Sequence, residues 1–233
     1  MPVSESRQLA LAVSLDDDAR FENYLISSAN KQAVDCLKAK GKSEQFIYIW
    51  GAASTGLTHL LQASCHQYSM GNRGSLYVPM AEKSRFTPEI LHGTNTLSLV
   101  CIDDFDQIAG NDHWESAFFT AFNAIRESGT RLIIAAKAAP KNLNIRLADL
   151  QSRLQSALVF QLAELSDEEK LRALQLRAKN RGMDLADAVA EYILLRAERS
   201  LVALMAVLDK LDASSLQEQR RLTIPLVKAT MQW

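Results

Sequence analysis

Cysteine is scarce. Cys36, Cys65 and Cys101 are the only three in 233 residues. They lie far apart with no CxxC pair, so neither a disulfide framework nor a zinc site is indicated, and a reducing cytoplasm is the expected setting. No segment reaches the roughly 18 consecutive apolar residues that a membrane-spanning helix needs. The opening "MPVSESRQLALAVSLDDD" offers one Arg, a broken apolar stretch and three acids, which is not a signal-peptide pattern. An excess of either charge is missing as well, because 26 basic and 27 acidic residues leave a formal charge of -1. Overall electrostatics therefore gives no reason to expect direct nucleic-acid binding, and any link to DNA is expected to run through a partner. Internal repeats and low-complexity tracts are absent too. What remains is a chain with 48% hydrophobic and 23% charged residues, enough to bury a substantial core.

Four short runs rich in Ile, Val, Leu and Tyr stand out: "FIYIW" (46 to 50), "SLYVPM" (75 to 80), "LSLVCIDDF" (97 to 105) and "RLIIAA" (131 to 136), followed by a fifth, "LVFQLA" (158 to 163). They alternate with segments of helical period such as 58–69 and 114–128. Near-continuous apolar runs suit strands buried on both faces, so the reading is an α/β fold with a parallel sheet covered by helices. Trp114, Phe118, Phe119 and Phe122 have helical spacing and are expected to belong to the core, against the alternative of a partner-facing surface. After Leu165 only helices are expected. Ser166 and Glu169 are spaced as a capping box, Gly182 suits a helix C-terminus, Ser200 can cap the next helix, and Pro225 sits near a further helix start. The expected organisation is a peptide over 1–18, an α/β nucleotide-binding domain over 19–164 and a small all-α domain over 165–233.

"GAASTGLT" (51 to 58) follows the first strand and opens a helical pattern, the context a phosphate loop requires. Gly51 permits a tight turn and Gly56 lets backbone N–H groups approach phosphate, while the next helix offers its positive N-terminal end. Thr58 can place a hydroxyl on Mg²⁺. The pattern G-x-x-x-x-G-[KR]-[ST] fails at Leu57, where the cation that reaches the outer phosphates belongs. Taken alone, the loop could equally be a glycine-containing turn with no ligand. The third run then ends in Asp103 and Asp104, placed to serve the Mg²⁺ and the attacking water. The plain alternative is that both acids simply leave the sheet into solvent. His59 and His66 lie seven apart and share a helix face, but further metal ligands cannot be placed, so solvated or packed histidines are expected.

In this order the motifs resemble the AAA+ module of the bacterial initiator DnaA family, and most closely its shorter members that inactivate the initiator. The resemblance covers nearly the whole chain. "RFENYLISSANKQAVD" (20 to 35) is similar to the family's opening segment and implies that Leu25, Ile26 and Asn30 lie near the nucleobase. "GAASTGLTHLL" resembles Walker A, which implies nucleotide contacts from Ala53, Ser54, Thr55, Gly56, Leu57, Thr58 and His59. "LVCIDDF" resembles Walker B, with Thr58 and Asp103 on any Mg²⁺. "RLIIAAKAAPKNL" is similar to the sensor 1 region, and "LQSRLQSALVFQL" to the arginine-finger segment, which puts that role on Arg153. A finger acting in trans contributes roughly 10³ to 10⁵ in rate; the bland alternative pairs Arg153 with Asp149 on one helix.

Departures from the family matter equally. Ser54 replaces a glycine and Leu57 a cation. Ala136 and Lys137 replace a polar and acidic pair, of which Lys137 restores some positive charge. Val202 stands where the family places its sensor 2 arginine; Arg199, nearly one turn earlier on the same helix face, is the candidate substitute, against the alternative that nothing replaces it. These changes imply a site that holds ADP, or another nucleoside diphosphate, and hydrolyses a triphosphate poorly or not at all by itself. At the N-terminus Gln8, Leu9, Leu11 and Val13 resemble a sliding-clamp-binding peptide, against the alternative of a disordered tail or edge strand. The implied role is a cytoplasmic regulator that, bound to the sliding clamp, stimulates ATP hydrolysis on DnaA. It would self-associate, with no sequence-specific DNA binding and no membrane association. The competing class is an autonomous ATPase or helicase-loader type of motor.

Overall fold

The computed structural model describes residues 15–39, 44–69, 73–218 and 222–233. The chain divides into two compact units, one of residues up to Phe21 with Ser28–Ala163, the other of Glu22–Ser27 with Glu164–Trp233.

In the first unit the apolar runs become five parallel strands: β1 Phe46–Trp50, β2 Ser75–Pro79, β3 Leu99–Asp103, β4 Arg131–Ala136 and β5 Leu158–Gln161, in the order β2-β3-β4-β1-β5. All residues of β3 and β4 are buried, as runs without polar alternation require of strands covered on both faces. Three strands are shorter than their runs. β5 also differs in kind: it sits at an edge, pairs with β1, and leaves Val159 37% exposed. Here period-two alternation replaces two-sided burial.

The unit's helices are α1 Lys31–Lys38, α2 Leu57–Ser69, α3 Asp112–Ser128 and α4 Ala148–Gln155, with short 3-10 turns between. In α3 the core reading holds for Trp114, Phe118 and Phe122, which are buried, while Phe119 is partly buried and packs against the same cluster. Phe122 stacks on Phe46 with centroids 4.3 Å apart, and Phe118 meets Phe105 edge-on at 4.7 Å. At the first residue of β4, the buried Arg131 guanidinium donates to the carbonyls of Cys36 and Ala39 at 2.7 and 2.6 Å, closing the C-terminal end of α1.

The second unit contains α5 Asp167–Asn180, α6 Asp187–Arg196, α7 Leu201–Glu218 and α8 Ile224–Met231. Its own core includes Leu174, Ile193, Leu204, Leu208 and Val227. The capping box forms as spaced, Ser166 Oγ accepting from the Glu169 N–H at 3.2 Å and Glu169 accepting from the Ser166 N–H at 2.9 Å. Gly182, at φ 77, closes α5 in a Schellman arrangement, with Met183 N–H donating to Ala178 and Gly182 N–H to Lys179, both at 2.9 Å. Ser200 caps α7 through the Ala203 N–H, and Pro225 occupies the first turn of α8. Among the described residues no helix is long and apolar enough to cross a membrane.

Candidate functional site

The loop 51–56 leaves the C-terminal end of β1 and enters α2. Gly51 is required by close approach: an added Cβ would lie 2.8 Å from the Leu162 carbonyl oxygen. Gly56 is required by conformation, at φ 85. Thr55 folds back so that both its N–H and its hydroxyl donate to the Ala52 carbonyl, at 3.1 and 2.8 Å. Leu60 donates to Gly56 at 3.0 Å as α2 begins. Among the described residues the N–H groups of Ser54, Gly56, Leu57 and Thr58 have no hydrogen-bond acceptor. Unpaired amides at the positive end of a 13-residue helix form a cradle for an anion. Ala53 is exposed and Ser54 half-buried on its outer side. Leu57 is only 8% exposed, so the position that lacks the cation has been taken into the apolar interior.

Both acids stand beside this loop. Asp103, 2% exposed at the end of β3, accepts at Oδ2 from the Thr58 hydroxyl (2.7 Å) and the Tyr77 hydroxyl (2.8 Å), and at Oδ1 from the Asp104 N–H (3.0 Å). Burial raises its pKa, and Asp104 adds to that, while the Thr58 and Tyr77 hydrogen bonds oppose it. Asp103 therefore does not leave the sheet into solvent. Asp104 has left-handed backbone, φ 48 and ψ 44, which turns its carboxylate away from the strand direction. The Thr58 hydroxyl and Asp103 carboxylate form a hard oxygen pair that suits Mg²⁺, and nucleotide and water oxygens would complete its shell. Among the described residues no group of three or more His, Cys, Asp or Glu gathers as a metal cluster.

β4 completes the site. The Gly51 N–H donates to the Ala136 carbonyl at 3.3 Å. The next residue, Lys137, places its Nζ 3.4 Å from Asp104 Oδ1, while its N–H donates to Asp106 at 3.1 Å. Beyond it the Tyr48 hydroxyl donates to the Ala138 carbonyl at 2.7 Å. The C-terminal ends of β1, β3 and β4 thus converge, as ligand crevices of parallel sheets do.

Arg153 lies half-buried on α4. The Asp149 pairing expected of a plain surface arginine does not form, and among the described residues its guanidinium has no ion pair or hydrogen bond. The entry to α4 is held by a residue the motifs did not single out. Glu115, 1% exposed on α3, accepts from the N–H groups of Gly110 (2.6 Å), Arg146 (3.0 Å) and Leu147 (2.9 Å). The available sequence signal was a lone acid on the apolar face of α3, between Trp114 and Phe118.

Residues 15–161 match the model of the bacterial DnaA ATPase domain, and residues 167–231 that of the Hda lid domain. The chain belongs to the DnaA-related AAA+ family. An uncharacterized protein of Haemophilus influenzae is 40% identical over 226 residues, 96% of this chain and 97% of that protein. Domain III of Thermotoga maritima DnaA superposes with a TM-score of 0.79 at 19% identity, covering 94% of this chain and 98% of that one. AMPPCP-bound DnaA from Aquifex aeolicus gives 0.68 at 21% identity, over 84% of this chain and 66% of that one. The last two likenesses carry the fold. A DnaA-like ATPase domain joined to an Hda-like lid marks a DnaA-related replication regulator.

The other expected site residues of this DnaA-related chain fall in both units. Asn30 is 1% exposed and both ends of its amide are engaged by Ala163, donating to its carbonyl at 2.9 Å and accepting from its N–H at 2.8 Å. Leu25, half-buried, and Ile26, 37% exposed, belong to the second unit. His59 donates to the Arg20 carbonyl and His66 to the Asp16 carbonyl, each at 2.8 Å, while Gln62 between them accepts from the Asp16 N–H. That shared face of α2 therefore fastens the segment around residues 16–20. Arg199 requires a correction. It lies before α7, in the connection ahead of the capping Ser200, so it shares no helix face with Val202; its guanidinium pairs with Asp167 at 3.1 Å. Val202 is 67% exposed. Gln8, Leu9, Leu11 and Val13 lie outside the described residues.

Proposed function

We propose that the chain is a nucleotide-holding regulator of replication initiation: it binds ADP in its own loop and promotes hydrolysis of ATP on DnaA by presenting Arg153 in trans. The observation that carries this reading is a contrast. Position 57 of the chain's own phosphate loop is a buried leucine and its second acid faces a lysine, whereas Arg153 stands without an ionic partner among the described residues. The unpaired loop amides and the helix N-terminus supply phosphate contacts that need no lysine, which supports binding, and the altered groups are those that would act on a terminal phosphate or its water. Adenine is the base carried by AMPPCP in the Aquifex aeolicus DnaA complex. Thr58 and Asp103 would hold Mg²⁺, which when bound neutralises developing phosphate charge. The peptide around Gln8 and Leu11 would tether the protein to a sliding clamp, raising the local concentration of Arg153 near DnaA.

The test follows ATP bound to DnaA in the presence of clamp-loaded DNA. Arg153→Ala is expected to abolish the stimulated hydrolysis, a loss of at least roughly 10³-fold, while leaving folding and ADP binding at wild-type levels. Undiminished hydrolysis refutes the finger assignment. Steady ATP turnover by the purified chain alone, lost in Asp104→Asn, would instead establish the autonomous motor.

A further inference from the structure

We propose that Lys137 is the counter-charge that allows this phosphate site to operate without a lysine at position 57. The proposal rests on the reading that loop 51–58 holds nucleotide phosphate, and it assigns a charge-balancing role to a residue from another strand.

Three observations meet at this point. Leu57 is buried, so the loop itself carries no cationic side chain. Asp103 and Asp104 both stand at the loop, the first tied to it through the Thr58 hydroxyl at 2.7 Å. Two carboxylates there repel an incoming phosphate. Asp103 already has three hydrogen-bond donors. Asp104 is the more open of the two, its side chain 25% exposed, and among the described residues Lys137 is the one cation paired with either acid, at 3.4 Å. The backbone brings Lys137 there directly: Ala136, immediately before it, accepts from the Gly51 N–H. Neutralising Asp104 leaves one uncompensated side-chain charge beside the loop where there would be two. The lysine acts as a positioning and balancing residue, through Asp104, and its effect grows with the number of phosphate charges.

Titrations of ADP and of a non-hydrolysable ATP analogue, with the full chain, test this. Lys137→Ala is expected to weaken the analogue about tenfold and ADP by less, and Lys137→Arg to bind both as wild type does. Because the lysine is 54% exposed at its side chain, the thermal midpoint of Lys137→Ala should not move. Adding Asp104→Asn to Lys137→Ala removes the charge that the lysine offset, so affinity for the analogue should return to within about threefold of wild type. An unchanged affinity in Lys137→Ala, or a deficit that persists in the double variant, overturns the proposal; persistence would mean direct contact between the lysine and phosphate. Failure of the wild-type chain to bind either nucleotide overturns the underlying site reading as well, which separates the two claims.

Discussion

Tyr48 illustrates how a single buried group ties stability to pH. Its hydroxyl donates to the Ala138 carbonyl from the interior of β1. Burial raises its pKa above the ordinary tyrosine value, and the nearby Asp106 charge raises it further. A folded-state pKa above the unfolded one means that the folded protein binds the proton more tightly. The stability it contributes is present below the unfolded value of about 10 and is lost as pH rises beyond it. In a spectrophotometric titration Tyr48 should stay protonated while exposed tyrosines ionise. Tyr48→Phe is expected to cost about 1 kcal/mol at neutral pH, from the orphaned carbonyl, yet to shift alkaline unfolding to higher pH. Phenolate absorbance from Tyr48 near pH 10 in still-folded protein would contradict this account. Asp104 is a second residue with a local peculiarity, its left-handed backbone, which sets where the carboxylate points.

At the level of elements, Glu115 joins α3 to the loop before α4 and to Gly110 after β3. Glu115→Ala leaves three N–H groups without their acceptor and is expected to cost about 3 kcal/mol in chemical denaturation. Glu115→Gln keeps the shape but turns one acceptor oxygen into an NH2 donor, so the bond to Gly110 or the bonds to Arg146 and Leu147 are lost; if Arg153 acts as proposed, it should reduce stimulation of DnaA-bound ATP hydrolysis while leaving ADP affinity intact. A milder loss of stimulation than of stability would argue against a positioning role for Glu115. The strand ladder was legible in the sequence because residues buried on both faces must be apolar without interruption, as in "RLIIAA", and the capping box because its two partners are only three residues apart. Glu115 was not legible as a clamp, since Arg146 and Leu147 lie some thirty residues away and donate through backbone. Lys137 read only as added positive charge, because its neighbour Asp104 is set by adjacency of β3 and β4. Arg199 misled for a local reason: helical spacing was extended through a segment where Ser200 starts the helix afresh.

For the whole molecule, a formal charge of -1 gives no net electrostatic attraction to the phosphate backbone, and affinity for bare duplex should be weak and nearly flat with salt. A gel-shift series is expected to show no retention on bare duplex at roughly physiological salt, but co-migration with clamp-loaded DNA that Gln8→Ala with Leu11→Ala abolishes. Retention on clamp-free DNA would break the link between clamp and regulation. The left-handed backbone at Asp104 has a consequence for how such a protein can be improved. Glycine adopts that conformation without the Cβ strain that an aspartate carries, a difference on the order of 1 kcal/mol before unfolded-chain entropy is counted. A library sorted for thermal resistance alone would therefore favour glycine at this position and discard the carboxylate that gives the site its second acid. Robustness and regulation pull this residue in opposite directions, and only a screen that scores both would keep it.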